Sequence, residues 1–332
     1  IVWGLLFVLC AIRPIRQVLL SYLVLKLLQV LKFLPVISET EKEAIEAGNT
    51  WVDAELFSGK PCFSVLEKEV AYYDFSLEEK TFLNGPVTEL CSMVDDWAVH
   101  QNRGFEKEIW DYMKKERFFG MIIPKEYGGL GFSANMNSAV VQMVSSRSSA
   151  LGITVMVPNS LGPAELLIHY GTESQKTYYL PRLAMGEEVP CFGLTEPYAG
   201  SDAGSMRAQG QVFKDEKGDL KIRLHFQKRW ITLAAVSTVI GLAFKLEDPD
   251  NLLGRGSSLG ITCALIPSDT QGIKIDCRHD PLGVPFVNSP IEGKDVIISI
   301  DQIIGGEKGV GKGWKMLMEC LAAGRGISLP AT

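Results

Sequence analysis

No two cysteines of this 332-residue chain stand in C-x-x-C spacing, and its seven cysteines (10, 62, 91, 191, 263, 277, 320) are scattered and odd in number. That excludes a disulfide frame or a zinc knuckle and implies reduced thiols. Histidine is scarce, with four residues at 100, 169, 225 and 279, too far apart for a local metal motif. A basic excess is also missing. The net charge of −6 and pI near 5.4 exclude nucleic acid as the main partner, which would need a basic footprint. Uninterrupted apolar runs long enough to span a bilayer, about 20 residues, are lacking too.

The longest apolar run is "IVWGLLFVLCAI" at the start. It is expected to be the tail of a longer transmembrane helix. Arg13 and Arg16 come next, then "QVLLSYLVLKLLQVLKFLP". On a helical wheel Gln17, Ser21, Gln29 and Lys32 fall within about 120° of one another. Lys26 at a bilayer centre would cost about 2.5–3.5 kcal/mol. Residues 1–34 are therefore expected to meet a membrane surface, with the second segment lying in the interface. The flanking arginines favour a cytoplasmic location for the remainder of the chain.

Beyond this membrane-proximal segment (1–36) the texture is helical over 37–190. Ser38 to Glu41 has capping-box spacing and opens "EKEAIEAG", expected to close on Gly48. "SANMNSAVVQMVSSRSSALGITVMV" reads as one long, largely buried helix, and "ESQKTYYLPRLAMGE" as another entered from Gly171-Thr172. Over 191–310 short β-favouring runs surround a "KDEKGD" turn, which predicts an antiparallel barrel or sandwich. Trp314, Leu317, Met318 and Leu321 restore helical spacing over 311–332, the expected start of a second helical domain. The fold class is thus α+β multidomain. "GEKGVGKG" (306–313) is one residue from a P-loop, but Gly313 replaces the hydroxyl that holds magnesium and no βαβ repetition surrounds it. A flexible glycine hinge between domains is the better expectation.

The specific signal is "GLTEPYAGSDAGS", Gly193–Ser205, with "RWIT" at 229–232 and "AAGRG" at 322–326 downstream. These segments resemble the acyl-coenzyme A dehydrogenase family, whose flavin signature runs small, aliphatic, Ser/Thr-Glu, two free, small, Gly-Ser/Thr-Asp, two free, small. Every fixed position is matched. "FFGMIIPKEYGGLGFS" and "HYGTESQKTYYLPRLAMGEEVPCF" extend the resemblance over 37–332, and the segments around them look most like the large bacterial FadE-type enzymes.

The resemblance implies a flavoenzyme that holds FAD and oxidises fatty acyl-CoA to trans-2-enoyl-CoA in β-oxidation. Electrons would pass to an electron-transfer flavoprotein or a membrane acceptor, and a homo-oligomer would complete the FAD site. It implies FAD contacts from Phe192, Gly193, Leu194, Thr195, Gly200 and Ser201, with Thr195 near the pyrimidine edge. Trp230, Ile231 and Thr232 would complete them, Trp230 packing on the ring and Thr232 bonding N5. Ser201 would also face the thioester-bearing ligand, and Arg325 the coenzyme A portion. Glu196 reads as structural, since Pro197 follows it at a domain junction. Asp202 reads equally as a turn residue or a ligand contact.

Ala322 stands where other members carry aspartate, and Gly324 where a minority place the catalytic glutamate. No catalytic residue is therefore assigned within 1–332; the proton-accepting glutamate is expected beyond residue 332. Two other classes compete: an acyl-CoA oxidase or flavin monooxygenase on the same fold, and a non-catalytic acyl-CoA-binding membrane scaffold.

Overall fold

A computed structural model describes residues 2–33, 37–47, 55–64, 74–160 and 162–332. The chain divides into two compact units, residues 1–43 and 44–332. In the first, helix α1 (Val2–Ala11) and helix α2 (Arg13–Val30) meet at a bend of 86°. The break has a local cause. Ile12 is extended (φ −84°, ψ 105°), and Pro14 lacks the amide that a continuous helix would use. Among the described residues no single helix is long and apolar enough to cross a membrane. Most apolar side chains of both helices are exposed, Trp3, Phe7, Leu23 and Val30 among them. Helix α3 (Glu39–Ala47) starts at the expected capping box, with the Ser38 amide 2.7 Å from Glu41 Oε2. Its expected stop at Gly48 lies outside the described residues.

The larger unit is built on one seven-stranded sheet: β1 (Pro190–Gly193), β2 (Gln209–Lys214), β3 (Leu220–Thr232), β4 (Val239–Glu247), β5 (Ser258–Pro267), β6 (Ile273–Ile275) and β7 (Asn288–Ser299). The "KDEKGD" turn joins β2 to β3 as predicted. The sheet is mixed rather than wholly antiparallel. One edge of β4 pairs in parallel with β1 at Val239–Leu242 and with β2 at Lys245–Glu247, and the other edge pairs antiparallel with β5. Two short strands thus share one edge of a long one, an arrangement that strand patterns alone do not reveal.

Strand β4 reads "VIGLAFKLE" with hardly a polar break because both of its faces are covered. Ile240, Leu242 and Phe244 join a cluster with Val141, Met156 and Val157, whereas Val239 and Ala243 join another with Leu166, Leu167, Leu180 and Leu317. The helices supplying these side chains therefore lie against opposite faces of the sheet.

The segment expected to be one long helix is two, α4 (Ala134–Arg147) and α5 (Ser149–Met156). Ser148 between them is extended at φ −155°, ψ 123°, so the apolar pattern runs on while the axis breaks. Helix α6 (Glu173–Ala184) is entered from Thr172, as predicted, through a capping box with Gln175. Residues 306–313 are not a hinge. They form a tight turn in which a Cβ at Gly309 would collide with the Ile304 carbonyl and one at Gly311 (φ +74°) with the Leu259 carbonyl. The glycines are there for close backbone packing. Helix α7 (Gly313–Ala323) comes next, where the apolar spacing predicts it.

Helix α6 carries the tie between helices and sheet. Its buried Gln175 donates to the carbonyls of Asp301 (2.8 Å) and Ile303 (2.7 Å) and accepts from the amides of Thr172 (3.1 Å) and Gly305 (3.0 Å). All four of its bonding positions are used. Gln175→Leu leaves several of these backbone groups buried and unpaired. It should destabilise the protein by about 3 kcal/mol, read by chemical denaturation.

Candidate functional site

A narrow cleft of about 190 Å³ opens where β1 and β3 end. One wall is β1 and its exit: Phe192, Leu194 and Thr195. A second is the end of β3: Trp230, Ile231 and Thr232. The remaining lining is Val157, Gly162 and Leu166 on one side and Leu317, Cys320 and Leu321 of α7 on another. The lining is almost wholly apolar. Its side-chain polar groups are the hydroxyls of Thr195 and Thr232, the indole N–H and the Cys320 thiol. Whole-ligand pockets usually measure about 300–1,000 Å³, so this cleft has room for only part of a larger ligand.

The second wall owes its shape to a bulge. Lys228 pairs with Ile291 and Ile231 with Ser289, so Arg229 and Trp230 together oppose Pro290. Proline has no amide to lose from the ladder, which suits it to that place. Trp230 takes up the extra residue at φ +61°, a left-handed conformation costly for a bulky side chain. The bulge swings its indole out to 45% exposure. The His279 ring centroid lies 4.1 Å from that of the indole, with the planes tilted by 42°, and the Arg229 guanidinium lies 4.6 Å from it. Burial, then the Arg229 charge, push the His279 pKa down, which leaves the imidazole neutral at pH 7.

Behind the two walls sits a buried ion pair. Along β3 the inward positions are Ile222, Leu224, Phe226 and then Lys228, whose side chain is 0% exposed. Its ammonium donates to Glu196 Oε1 (2.8 Å) and to the Leu194 carbonyl (3.1 Å). Glu196 also accepts from the amides of Arg207 (2.6 Å) and Ala208 (3.0 Å). Burial opposes its ionisation, but Lys228 and the two amides outweigh that and hold the carboxyl below its ordinary range. Glu196 is thus enclosed among protein partners, the structural role its place beside Pro197 predicts. It also borders a larger open groove of about 580 Å³ with a mixed-charge lining that includes Arg207, Lys274 and Glu292. That groove offers no enclosed apolar slot.

The cleft fits the planar ring of FAD. Its faces are apolar, and its polar edge retains hydrogen-bonding capacity. Thr232 Oγ1 accepts from Asn288 Nδ2 at 3.4 Å, which leaves the hydroxyl proton free to donate. Asn288 Oδ1 beside it is buried without a partner among the described residues.

Six of the nine residues expected at the cofactor line this one cleft: Phe192, Leu194, Thr195, Trp230, Ile231 and Thr232. Gly193 lies behind them in β1, where a Cβ would sit 3.1 Å from Leu242 Cδ1 and 3.2 Å from Lys228 Cγ. Gly200 and Ser201 are exposed in the turn beyond β1 and do not line the cleft. Asp202 accepts a hydrogen bond from the Ser205 hydroxyl, a turn arrangement. Arg325 is exposed in the π-turn Gly324–Ser328, also outside the lining. Lys228, His279, Asn288 and Cys320 belong to the site without belonging to any sequence motif. Lys228 alone carries a readable signal, a charge in the inward phase of a strand.

Two family models match the chain. One described as the acyl-CoA dehydrogenase N-terminal domain matches residues 87–187, and one described as the middle domain matches 191–296. The chain is 60% identical over 89 residues to protein HemX of Proteus mirabilis, covering 27% of this chain and 52% of that protein. It is 34% identical over 229 residues to a 3-(aryl)acrylate reductase of Clostridium sporogenes, covering 68% and 56%. The chain spans about half the length of the curated relatives it matches. Among solved structures, butyryl-CoA dehydrogenase from Megasphaera elsdenii superposes with a TM-score of 0.66 at 22% identity, over 78% of this chain and 65% of that one. An acyl-CoA dehydrogenase from Bacillus anthracis complexed with FAD gives 0.65 at 21% identity, over 78% and 43%.

Cysteine reactivity checks the burial of the sheet and of the cleft residue Cys320. Burial pushes the thiols of Cys191 and Cys263 up to about 12 and raises that of Cys320 as well, whereas Cys10, Cys62 and Cys277 are exposed. At pH 8 alkylation of the exposed three should run at least ~100-fold faster than of the buried three, as read by peptide mass spectrometry.

Proposed function

Because the chain belongs to the acyl-CoA dehydrogenase family, we propose that its cleft seats the flavin ring of FAD and that the protein oxidises saturated fatty acyl-CoA to trans-2-enoyl-CoA in β-oxidation. The observation that carries this reading is the convergence of two distant segments, 192–195 and 230–232, on one apolar slot with a threonine on each wall. FAD supplies the acceptor for the hydride that leaves Cβ of the thioester.

The chain's own residues then have separate tasks. Phe192, Leu194 and Ile231 keep water from the ring. Thr232, held by Asn288, offers its hydroxyl proton to the ring's edge, and Thr195 does so from the facing wall. Preorganised donors of this kind favour the product state because no dipole has to turn as charge develops. Ser201 and Arg325, exposed outside the cleft lining, receive the polar ends of cofactor and substrate. Among the described residues the cleft lining contains no Asp, Glu or His. The family resemblance implies that the carboxylate taking the α-proton is a glutamate outside this lining. A neighbouring copy of the chain completes the FAD site.

Electrons leave through an electron-transfer flavoprotein or a membrane acceptor. One structural neighbour, at 23% identity, is described as an electron transferring flavoprotein of Acidaminococcus fermentans. Helices α1 and α2 anchor the protein to the cytoplasmic face of a bacterial inner membrane. Exposed apolar side chains enter the interface, and Arg13, Arg16 and Lys26 meet anionic headgroups.

The full-length protein should carry FAD and lose its visible absorbance anaerobically on adding a saturated fatty acyl-CoA. A flavin-free protein that still binds acyl-CoA would favour a scaffold, and rapid reoxidation by oxygen with product bound would favour an oxidase. Thr232→Val should slow flavin reduction at least about tenfold, roughly 1.4 kcal/mol in the barrier, with little change in melting temperature. Deleting residues 2–33 should abolish co-sedimentation with anionic vesicles and leave FAD bound; unchanged sedimentation would count against the anchor.

A further inference from the structure

We infer that the buried Lys228–Glu196 pair is the positioning element of the cleft, setting the distance between its two walls and the orientation of the peptide joining Leu194 to Thr195. As an account of a cofactor site this rests on the flavin reading; as an account of wall geometry it does not.

Strand β1 finds its ladder partner in β4, not in β3, so among the described residues no backbone ladder joins the two walls. Three consecutive bonds do so instead. The Leu194 carbonyl accepts from Lys228 Nζ, the Thr195 carbonyl from the Arg229 amide at 2.9 Å, and the Glu196 carboxylate again from Lys228 Nζ. Two of the three come from one ammonium. That ammonium belongs to a residue two places before Trp230, on the near side of the bulge that aims the indole.

The peptide group is planar, with its carbonyl and amide on opposite edges. Turning the Leu194 carbonyl to Lys228 therefore turns the Thr195 amide away from it. Removing the ammonium frees that plane to rotate. It also leaves Glu196, whose side chain is 4% exposed, with its two amide donors and no counter-charge.

A pair this deeply buried is a poor source of stability compared with well-packed apolar side chains. Its value lies in geometry. Lys228 stands in a phase that Ile222, Leu224 and Phe226 fill with apolar groups, and a methionine there would pack without loss of volume. A methionine could not hold the Leu194 carbonyl.

The test compares K228M and E196Q with the parent, all as full-length protein. The dissociation constant of FAD from the refolded apoprotein is measured, together with the emission of Trp230 taken as the difference from a matching Trp230→Phe protein. K228M should keep its far-ultraviolet circular dichroism, bind FAD at least ~10-fold more weakly, and show shifted Trp230 emission. E196Q keeps the bond to the Leu194 carbonyl and should lose about threefold. A folded K228M with FAD affinity within about twofold of the parent and unchanged Trp230 emission overturns the inference. If the parent binds no FAD, the flavin reading fails, and the Trp230 emission alone decides on the pair. If K228M does not fold, E196Q is decisive, and parent-like affinity and emission in it overturn the proposal. If neither folds, the pair is a stability element and the inference falls.

Discussion

Burial of β4 on both faces is the constraint on which the rest of the larger unit depends. A strand that presents Ile240, Leu242 and Phe244 to one side and Val239 and Ala243 to the other needs cover on both. The helices provide it, and in doing so they carry Val157, Gly162, Leu166 and the α7 residues Leu317 and Leu321 to the ends of β1 and β3. The cleft is the gap left where that cover stops. Its apolar character is inherited from the core it adjoins.

Two of the polar side chains that enter this interior do so where the backbone needs them. Gln175 serves four main-chain groups at the junction of α6 and the loop after β7, and Glu196 serves two amides just before β2. Lys228 then answers the charge that Glu196 brings in. In a medium of low dielectric such sets hold only when every member is satisfied, which makes them rigid points in an otherwise interchangeable core.

Much of the site is legible in the sequence. Phe192, Leu194, Thr195, Trp230, Ile231 and Thr232 line one cleft, and a cleft wall constrains residue type more tightly than general packing does, so their spacing is informative. The helices at Glu39, Glu173 and Gly313 announce themselves through caps and period. Three features do not. Ser148 breaks a helix without breaking the apolar pattern, because buried residues continue on either side of it. The parallel pairing of β1 and β2 with β4 depends on which edges meet, and a strand's alternation is silent about its neighbour. His279 and Asn288 reach Trp230 and Thr232 from far along the chain, so no local spacing could disclose them.

The two short strands sharing one edge of β4 bear on how the protein is made. Pro190–Gly193 and Gln209–Gln211 cannot take their places beside β4 until that strand has been synthesised, and β3 lacks its long partner until Ser299 has left the ribosome. Meanwhile Val141, Met156 and Val157 have no sheet to cover. A nascent chain of this design passes through a stage rich in exposed apolar helix and unpaired strand edge, the state most prone to self-association. Its dependence on chaperones should therefore peak before β7, the last of these seven strands, emerges.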